Sequence, residues 1–232
     1  LYRSMRLLGI RPVTAPDEFT EIVEVVVEES EIEEGYVKII VTRGSDDHNF
    51  TIPARSALQP NVLVYGKPID LNAIEKVQSG VNCITLDDDR GHHCDILSLN
   101  QLNNMMARAE AQKKNCYDAV FIKDGLLTEA SHSNVCIVKA GVIWTPATNE
   151  HMIRGVTRSL VLTRAAPSAG VTSIDEASEP VRFEDMMTAE EVFLTNSQDG
   201  IIPDLSKNGN PNGGDKVGDV TKKNQEHNVN LM

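Results

Sequence analysis

Between Ala119 and Trp144 the chain writes the same short pattern twice. Ala119-Val-Phe-Ile-Lys-Asp-Gly-Leu-Leu-Thr128 and Val135-Cys-Ile-Val-Lys-Ala-Gly-Val-Ile-Trp144 each place a glycine turn between apolar runs of strand length. A glycine that tolerates positive φ, flanked by β-branched residues, predicts a hairpin. Two hairpins are therefore expected in succession, with helical patterns on either side of them.

Those patterns begin at the first residue. Leu1 to Gly9 has helical apolar spacing with a glycine stop, yet neither an initiator methionine nor a cap precedes it, so it reads as starting inside a domain. Pro16 opens a second helix whose apolar positions Phe19, Ile22, Val23, Val26 and Val27 recur at helical spacing as far as about Gly35. Strands follow at Tyr36–Thr42 and Asn61–Tyr65, and Gly66-Lys-Pro-Ile-Asp70 reads as a linker. Beyond it come a strand over 81–86, a helix from about Leu99 to Lys114 with Leu102, Met105, Met106 and Ala109 on one side, the two hairpins, helices over 156–166 and 183–190, and a strand over 192–195. Asn208 to Gly214 is a turn-rich loop, and a frayed helix is expected after Val220. The expectation is an α/β (α+β) chain of two domains, residues 1–67 and 68–232.

Charge and cysteine usage exclude several function classes. With 34 acidic against 22 basic residues the formal charge is −12, a field that repels nucleic acid and anionic lipid. No apolar run is long enough to cross a bilayer. Cys83, Cys94, Cys116 and Cys136 lack metal-type or disulfide-framework spacing, which fits reduced thiols in the cytoplasm. Asp87-Asp-Asp-Arg-Gly-His-His-Cys-Asp95 gathers ligand-type side chains, but His92, His93 and Cys94 are adjacent and cannot easily share a coordination sphere, so a solvated loop is expected and no metal.

Three short segments carry possible chemistry. Gly155-Val156-Thr157 directly precedes a helix, where unsatisfied N–H groups, the helix dipole and a hydroxyl suit a phosphate dianion; alone, the triplet reads more simply as an ordinary helix start. Thr195-Asn-Ser197 follows a strand and is a second hydroxyl-bearing turn. Glu129 stands among Leu126, Leu127 and Ala130, where a buried carboxylate needs a cationic partner such as a protonated ring nitrogen; the plainer alternative is a solvated strand end. Ser131 and Ser133 are either loop hydroxyls or ligand contacts.

Taken in order, Val41-Thr-Arg-Gly44, Cys94-Asp-Ile-Leu-Ser-Leu-Asn100, Thr128-Glu-Ala-Ser-His-Ser-Asn134, Thr145-Pro-Ala through Gly155-Val-Thr-Arg158, and Gly214-Asp-Lys-Val-Gly218 resemble the class IV pyridoxal-phosphate aminotransferases of fold type IV. Within that family the likeness is greatest to members acting on D-amino acids such as D-alanine, with branched-chain L-amino acids as the alternative. The resemblance implies a small N-terminal α/β domain, incomplete here, a larger cofactor-binding domain, and a homodimer. It implies pyridoxal 5′-phosphate as cofactor, its phosphate on Gly155, Val156, Thr157 and Ser197, its ring nitrogen on Glu129, Ile153 under the ring, and Ser131 and Ser133 around it. His48 falls near a substrate-carboxylate position.

At one position the resemblance fails chemically. Leu97 stands where the family carries the lysine that captures the cofactor and moves the substrate proton, and leucine has neither a nucleophile nor a titratable proton. An inactive relative that binds cofactor noncovalently, or serves only as a partner in an assembly, is therefore the competing expectation. His132 in place of a serine and Pro167 within a helical pattern are further departures expected to be costly.

Overall fold

Alternation along the strands decides how the second half of this chain is layered. In the hairpin strand Asn134–Lys139, Val135 and Ile137 enter one apolar cluster while Cys136 and Val138 enter another on the opposite face. In Asp118–Lys123, Val120 joins the first cluster and Ala119 and Phe121 a third. Successive side chains point to opposite faces of a sheet, so strands apolar on both sides must be covered on both sides.

The computed structural model describes residues 1–45, 58–174, 180–207, 210–211 and 216–229. It contains, in chain order, α1 (Tyr2–Leu7), α2 (Pro16–Ser30), β1 (Gly35–Thr42), β2 (Asn61–Pro68), α3 (Leu71–Gln78), β3 (Cys83–Asp87), α4 (Leu102–Lys113), β4 (Asp118–Lys123), β5 (Leu126–Ala130), β6 (Asn134–Lys139), β7 (Val142–Trp144), α5 (Val156–Leu160), a π-helical turn (Val161–Ala165), α6 (Ala166–Ser168), β8 (Ser173–Ile174), α7 (Phe183–Thr188), β9 (Glu191–Asn196), β10 (Gly200–Asp204), β11 (Ser206–Lys207), β12 (Asn210–Pro211) and α8 (Asp219–Val229). They fall into two units, Leu1–Leu71 with Ile96–Ser98, and Asn72–Asp95 with Leu99–Met232.

In the first unit β1 and β2 form an antiparallel ribbon, Gly35 facing Pro68 and Thr42 facing Asn61. Pro16 opens α2, and the Glu18 carboxylate reaches back to accept the Ala15 N–H at 2.8 Å, half of a capping box. The helix ends earlier than the expected glycine, at Glu31 in a left-handed conformation. Of its apolar stripe Phe19 is buried, edge-on to Tyr2 with ring centroids 6.0 Å apart, Val23 and Val26 are half-buried, and Ile22 and Val27 stay exposed.

The second unit holds a five-stranded sheet in the order β10-β9-β6-β7-β8 and a three-stranded sheet in the order β3-β4-β5. β3 and β4 are parallel, with α4 as the crossover between them, and β4 and β5 are antiparallel. Cys83, Val120, Leu127, Val135, Ile137, Leu194 and Ile202 pack together between the two sheets. Ala107 and Ala111 of α4 cover the outer face of the small sheet, and Val161, Leu162 and Ala166 cover that of the large one.

Both glycine turns form as expected: Asp124-Gly125 and Ala140-Gly141 have positive φ at both central residues, the twist that suits a two-residue hairpin. Of the segment expected as a linker, Gly66 to Pro68 belong to β2, and the division between the two units falls just after it, between Leu71 and Asn72. In α4 the sheet selects the small residues Ala107 and Ala111, leaving Leu102, Met105 and Met106 outside. Pro167 is accommodated by the π-helical turn before it: widening the backbone there relieves the missing N–H and the ring clash that proline brings to a regular helix. His132 is exposed, so it displaces nothing in the core. The C-terminal helix is anchored as well as present, since Glu191 accepts the N–H groups of Val220 at 3.0 Å and Thr221 at 2.8 Å.

Asp204, at the end of β10, is 3% exposed and accepts the N–H groups of Ser206 at 3.1 Å and Cys83 at 3.2 Å. Burial outweighs those bonds and pushes its carboxyl from 3.8 up to about 7. The folded state thus holds this proton more tightly than the unfolded chain, and the group's contribution to stability, full below the unfolded value, is lost as pH rises toward about 7. Asp204→Asn is expected to gain stability relative to the parent between about pH 5 and about pH 8, by an amount on the order of a few kcal/mol, measured as the difference in urea unfolding at the two pH values.

Candidate functional site

Just before its last residue β5 carries two buried polar residues, Thr128 and Glu129, that face the loop leaving β3. From that loop Arg90, 6% exposed, enters the core and lies over the Phe121 ring with its guanidinium carbon 4.2 Å from the centroid. Its Nε donates to Asp88 Oδ1 at 2.9 Å and one terminal nitrogen donates to Asp88 Oδ2 at 2.8 Å, a two-pronged pair. The same nitrogen reaches the His151 carbonyl at 2.9 Å, and the other donates to Glu129 Oε1 at 2.5 Å. Thr128 donates its hydroxyl to Asp88 Oδ2 at 2.9 Å.

Glu129 is fixed from its other oxygen too. Oε2 accepts the Ile153 N–H at 2.8 Å and the Asn134 side-chain amide at 3.4 Å, and the same amide donates to the Ile153 carbonyl at 2.8 Å. Burial pushes the Glu129 carboxyl up to about 7 against the pull of Arg90. Asp88 is held below the ordinary carboxylate range: burial opposes this, but the hydrogen bonds and charge of Arg90 prevail. Two carboxylates against one buried cation leave a negative excess, and a protonated nitrogen beside Glu129 would balance it.

Gly155 closes the same corner. A Cβ at this position would stand 2.0 Å from the Asn134 Oδ1, so only glycine lets the chain pass the amide that holds Glu129 and Ile153. It is the N-cap of α5, and helix geometry leaves the N–H groups of Val156 and Thr157 without an intrahelical acceptor. Val156 is exposed while Thr157 is buried, its hydroxyl donating to the Asn196 carbonyl at 2.9 Å. Ser197 is exposed in the turn between β9 and β10.

Ser131 and Ser133 are both buried, and both donate their hydroxyl protons to the fully buried Asp118, Ser133 at 3.3 Å. Their hydroxyl protons are therefore occupied within the protein, and what they can offer a ligand is an oxygen lone pair.

Glu129, Ser131, Ser133, Ile153, Gly155, Val156, Thr157 and Ser197 thus all lie in the second unit, linked by the Glu129–Asn134–Ile153 contacts, by Asp118 and by Asn196. Leu97 belongs to the stretch grouped with the first unit, where it is 58% exposed and its N–H donates to Ser4 Oγ at 3.1 Å. His48 lies outside the described residues. Among the described residues no group of three or more histidine, cysteine, aspartate or glutamate side chains is arranged to hold a metal, although the His92 and His151 rings both flank Glu150.

Sequence reasoning misses Arg90, Asp88, Asp118 and Asn134. Arg90 and Asp88 stand in the run expected to be a solvated loop, and the signal was an arginine amid acids directly after a strand. Arg90→Met is expected to cost about 3–5 kcal/mol in urea unfolding, because two carboxylates lose their buried counterion. Adding Asp88→Asn and Glu129→Gln to that variant is expected to restore most of the loss, and no recovery would show that charge balance is not what Arg90 supplies.

Comparison with known proteins places the chain. The family described as Amino-transferase class IV matches residues 1–204. D-alanine aminotransferase of Bacillus licheniformis is 33% identical over 225 residues, covering 97% of this chain and 77% of that protein. The branched-chain amino acid aminotransferase of Escherichia coli superposes with a TM-score of 0.85 at 20% identity, over 99% of this chain and 76% of that one. The branched-chain aminotransferase of the thermophilic archaeon Thermoproteus uzoniensis, solved with norvaline, gives 0.79 at 21% identity over 98% of this chain and 75% of that one. With its mixed sheets and flanking helices in the fold type IV arrangement, the chain belongs to the class IV aminotransferase family.

Proposed function

We propose that this chain carries the pyridoxal 5′-phosphate site of a D-amino acid aminotransferase, and that Leu97 leaves it holding the cofactor without a covalent bond. The observation that carries the reading is Glu129: a buried carboxylate raised to about 7, locked by Arg90, Asn134 and Ile153, and lacking a full share of positive charge.

The residues present fit the group. A phosphorylated pyridine needs an anion for its ring nitrogen and N–H donors for its phosphate, and Glu129 and the Gly155–Thr157 backbone supply them in one unit. Ser197 adds a donor from the facing turn, and the aliphatic Ile153 is fixed against Glu129 by its own N–H. When bound, the cofactor supplies an electron sink at the substrate carbon. Glu129 then serves to hold a proton on the ring nitrogen, and Asp118 and Asn134 serve to keep Ser131, Ser133 and Ile153 in place.

What the chain lacks is an amine and a proton carrier at position 97. General acid–base transfer by a positioned side chain contributes about 10²–10⁴-fold to such steps, so the parent is expected to turn over slowly at best. This favours the second reading, a noncovalent cofactor-binding relative, for the chain as it stands. D-alanine is favoured over branched-chain L-amino acids as amino donor because relatives 33% and 31% identical to this chain are D-alanine aminotransferases. The exposed apolar side chains of α4, Leu102, Met105 and Met106, support a homodimer, and four free cysteines support the cytoplasm.

The parent is expected to bind pyridoxal 5′-phosphate saturably in calorimetry, with no cofactor left attached to position 97 after borohydride treatment. Leu97→Lys is expected to retain cofactor through that residue and to raise amino transfer from D-alanine to 2-oxoglutarate by about 10²–10⁴-fold. Absence of binding by the parent would overturn the cofactor site, and preference for L-leucine would replace the D-amino acid assignment.

A further inference from the structure

Asn196, the last residue of β9, makes more connections within the second unit than any strand needs. Its side-chain carbonyl accepts the N–H groups of Gln198 at 2.9 Å and Asp199 at 2.6 Å, closing the turn that carries Ser197. Its side-chain amide donates toward Ser133 Oγ at 3.2 Å, Asp199 Oδ2 at 3.2 Å and the Tyr117 hydroxyl at 3.4 Å. Its main-chain carbonyl accepts the Thr157 hydroxyl at 2.9 Å.

These partners fix which end of the carboxamide is oxygen: one end meets only N–H donors and the other meets a carboxylate and two hydroxyls. Beyond them the network continues. Ser133 donates to Asp118, which Ser131 also engages, and the Tyr117 hydroxyl donates to Asp199 at 2.6 Å while Arg108 lies 4.8 Å above the Tyr117 ring. Ser131, Ser133 and Ser197 are thereby within a few bonds of the Asn196 side chain, and Thr157 is tied to the main-chain carbonyl of the same residue. The Thr157 hydroxyl has its proton on the Asn196 carbonyl, so at rest its role is to latch the start of α5 to this turn.

We propose that Asn196 is a positioning residue for phosphate recognition: it locks the Ser197 turn, the start of α5 and the Ser133 wall into one rigid cup. The inference rests on the pyridoxal-phosphate reading above and deepens it. No atom of Asn196 need touch the ligand. Loss of its side chain orphans two main-chain N–H groups in the turn and frees Ser133 from it, so the donors on the phosphate side would no longer be held at a common centre. The ring side is held separately, by Arg90, Asn134 and Ile153 on Glu129.

That division gives a readout which a merely structural role would not move. Affinities for pyridoxine 5′-phosphate and for pyridoxine, neither of which carries an aldehyde, are measured on the parent and on Asn196→Ala by calorimetry and ligand-observed NMR. Asn196→Ala is expected to weaken the phosphorylated ligand about tenfold while pyridoxine changes by less than about twofold. Asn196→Ser, whose hydroxyl can still accept the turn N–H groups but cannot span to Ser133, is the second variant should the alanine fail to fold, and its loss should be smaller but equally confined to the phosphate. Equal weakening of both ligands, or no change in either, overturns the positioning role. Failure of the parent to bind pyridoxine 5′-phosphate overturns the cofactor reading itself and this inference with it.

Discussion

One buried guanidinium sets the terms for the second unit of this chain. Arg90 sits in the core beside two carboxylates, and a cation there is tolerated only because Asp88, Glu129 and the His151 carbonyl take its hydrogen bonds and Phe121 takes its face. The loop after β3, the end of β5 and the segment before α5 are held in register by that one requirement. Glu129 is the member with something left to give: burial drives its proton affinity up, and a positive ligand beside it would pull it back down.

Around this centre the backbone does what strand alternation demands. Two sheets share one apolar layer and present their other faces to helices, so polar groups collect where strands end and not where they pack. Glu129 and Ser131 on either side of the last residue of β5, Asn134 at the start of β6 and Asn196 at the end of β9 all occupy such ends. Each is buried or half-buried, and each is paired with a partner distant in sequence.

That distance explains what could be read from the sequence and what could not. The hairpins at Gly125 and Gly141 were legible because a turn is a local event whose residues are adjacent. Glu129 and Gly155 stood out in the sequence as positions, because a carboxylate among leucines and a glycine before a helix each pose a local problem. Arg90, Asp118 and Asn196 were not, since each answers a problem posed some 13 to 63 residues away in the chain. The apolar stripe of α4 misled for a related reason: periodicity marks a face but does not say whether a sheet, a second subunit or water meets it, and here the sheet took Ala107 and Ala111.

On the function proposed for this chain, Leu97 would spare binding and remove proton transfer, because the two are separate demands and only the second needs an amine there. The central claim is that Glu129 holds a protonated pyridine nitrogen. It is tested most directly by the ¹⁵N NMR shift of pyridoxal 5′-phosphate labelled at the ring nitrogen and bound to the parent and to Glu129→Gln. The account predicts a protonated nitrogen in the parent that is lost in the glutamine variant; an unprotonated nitrogen in the parent, or the same shift in both, would contradict it.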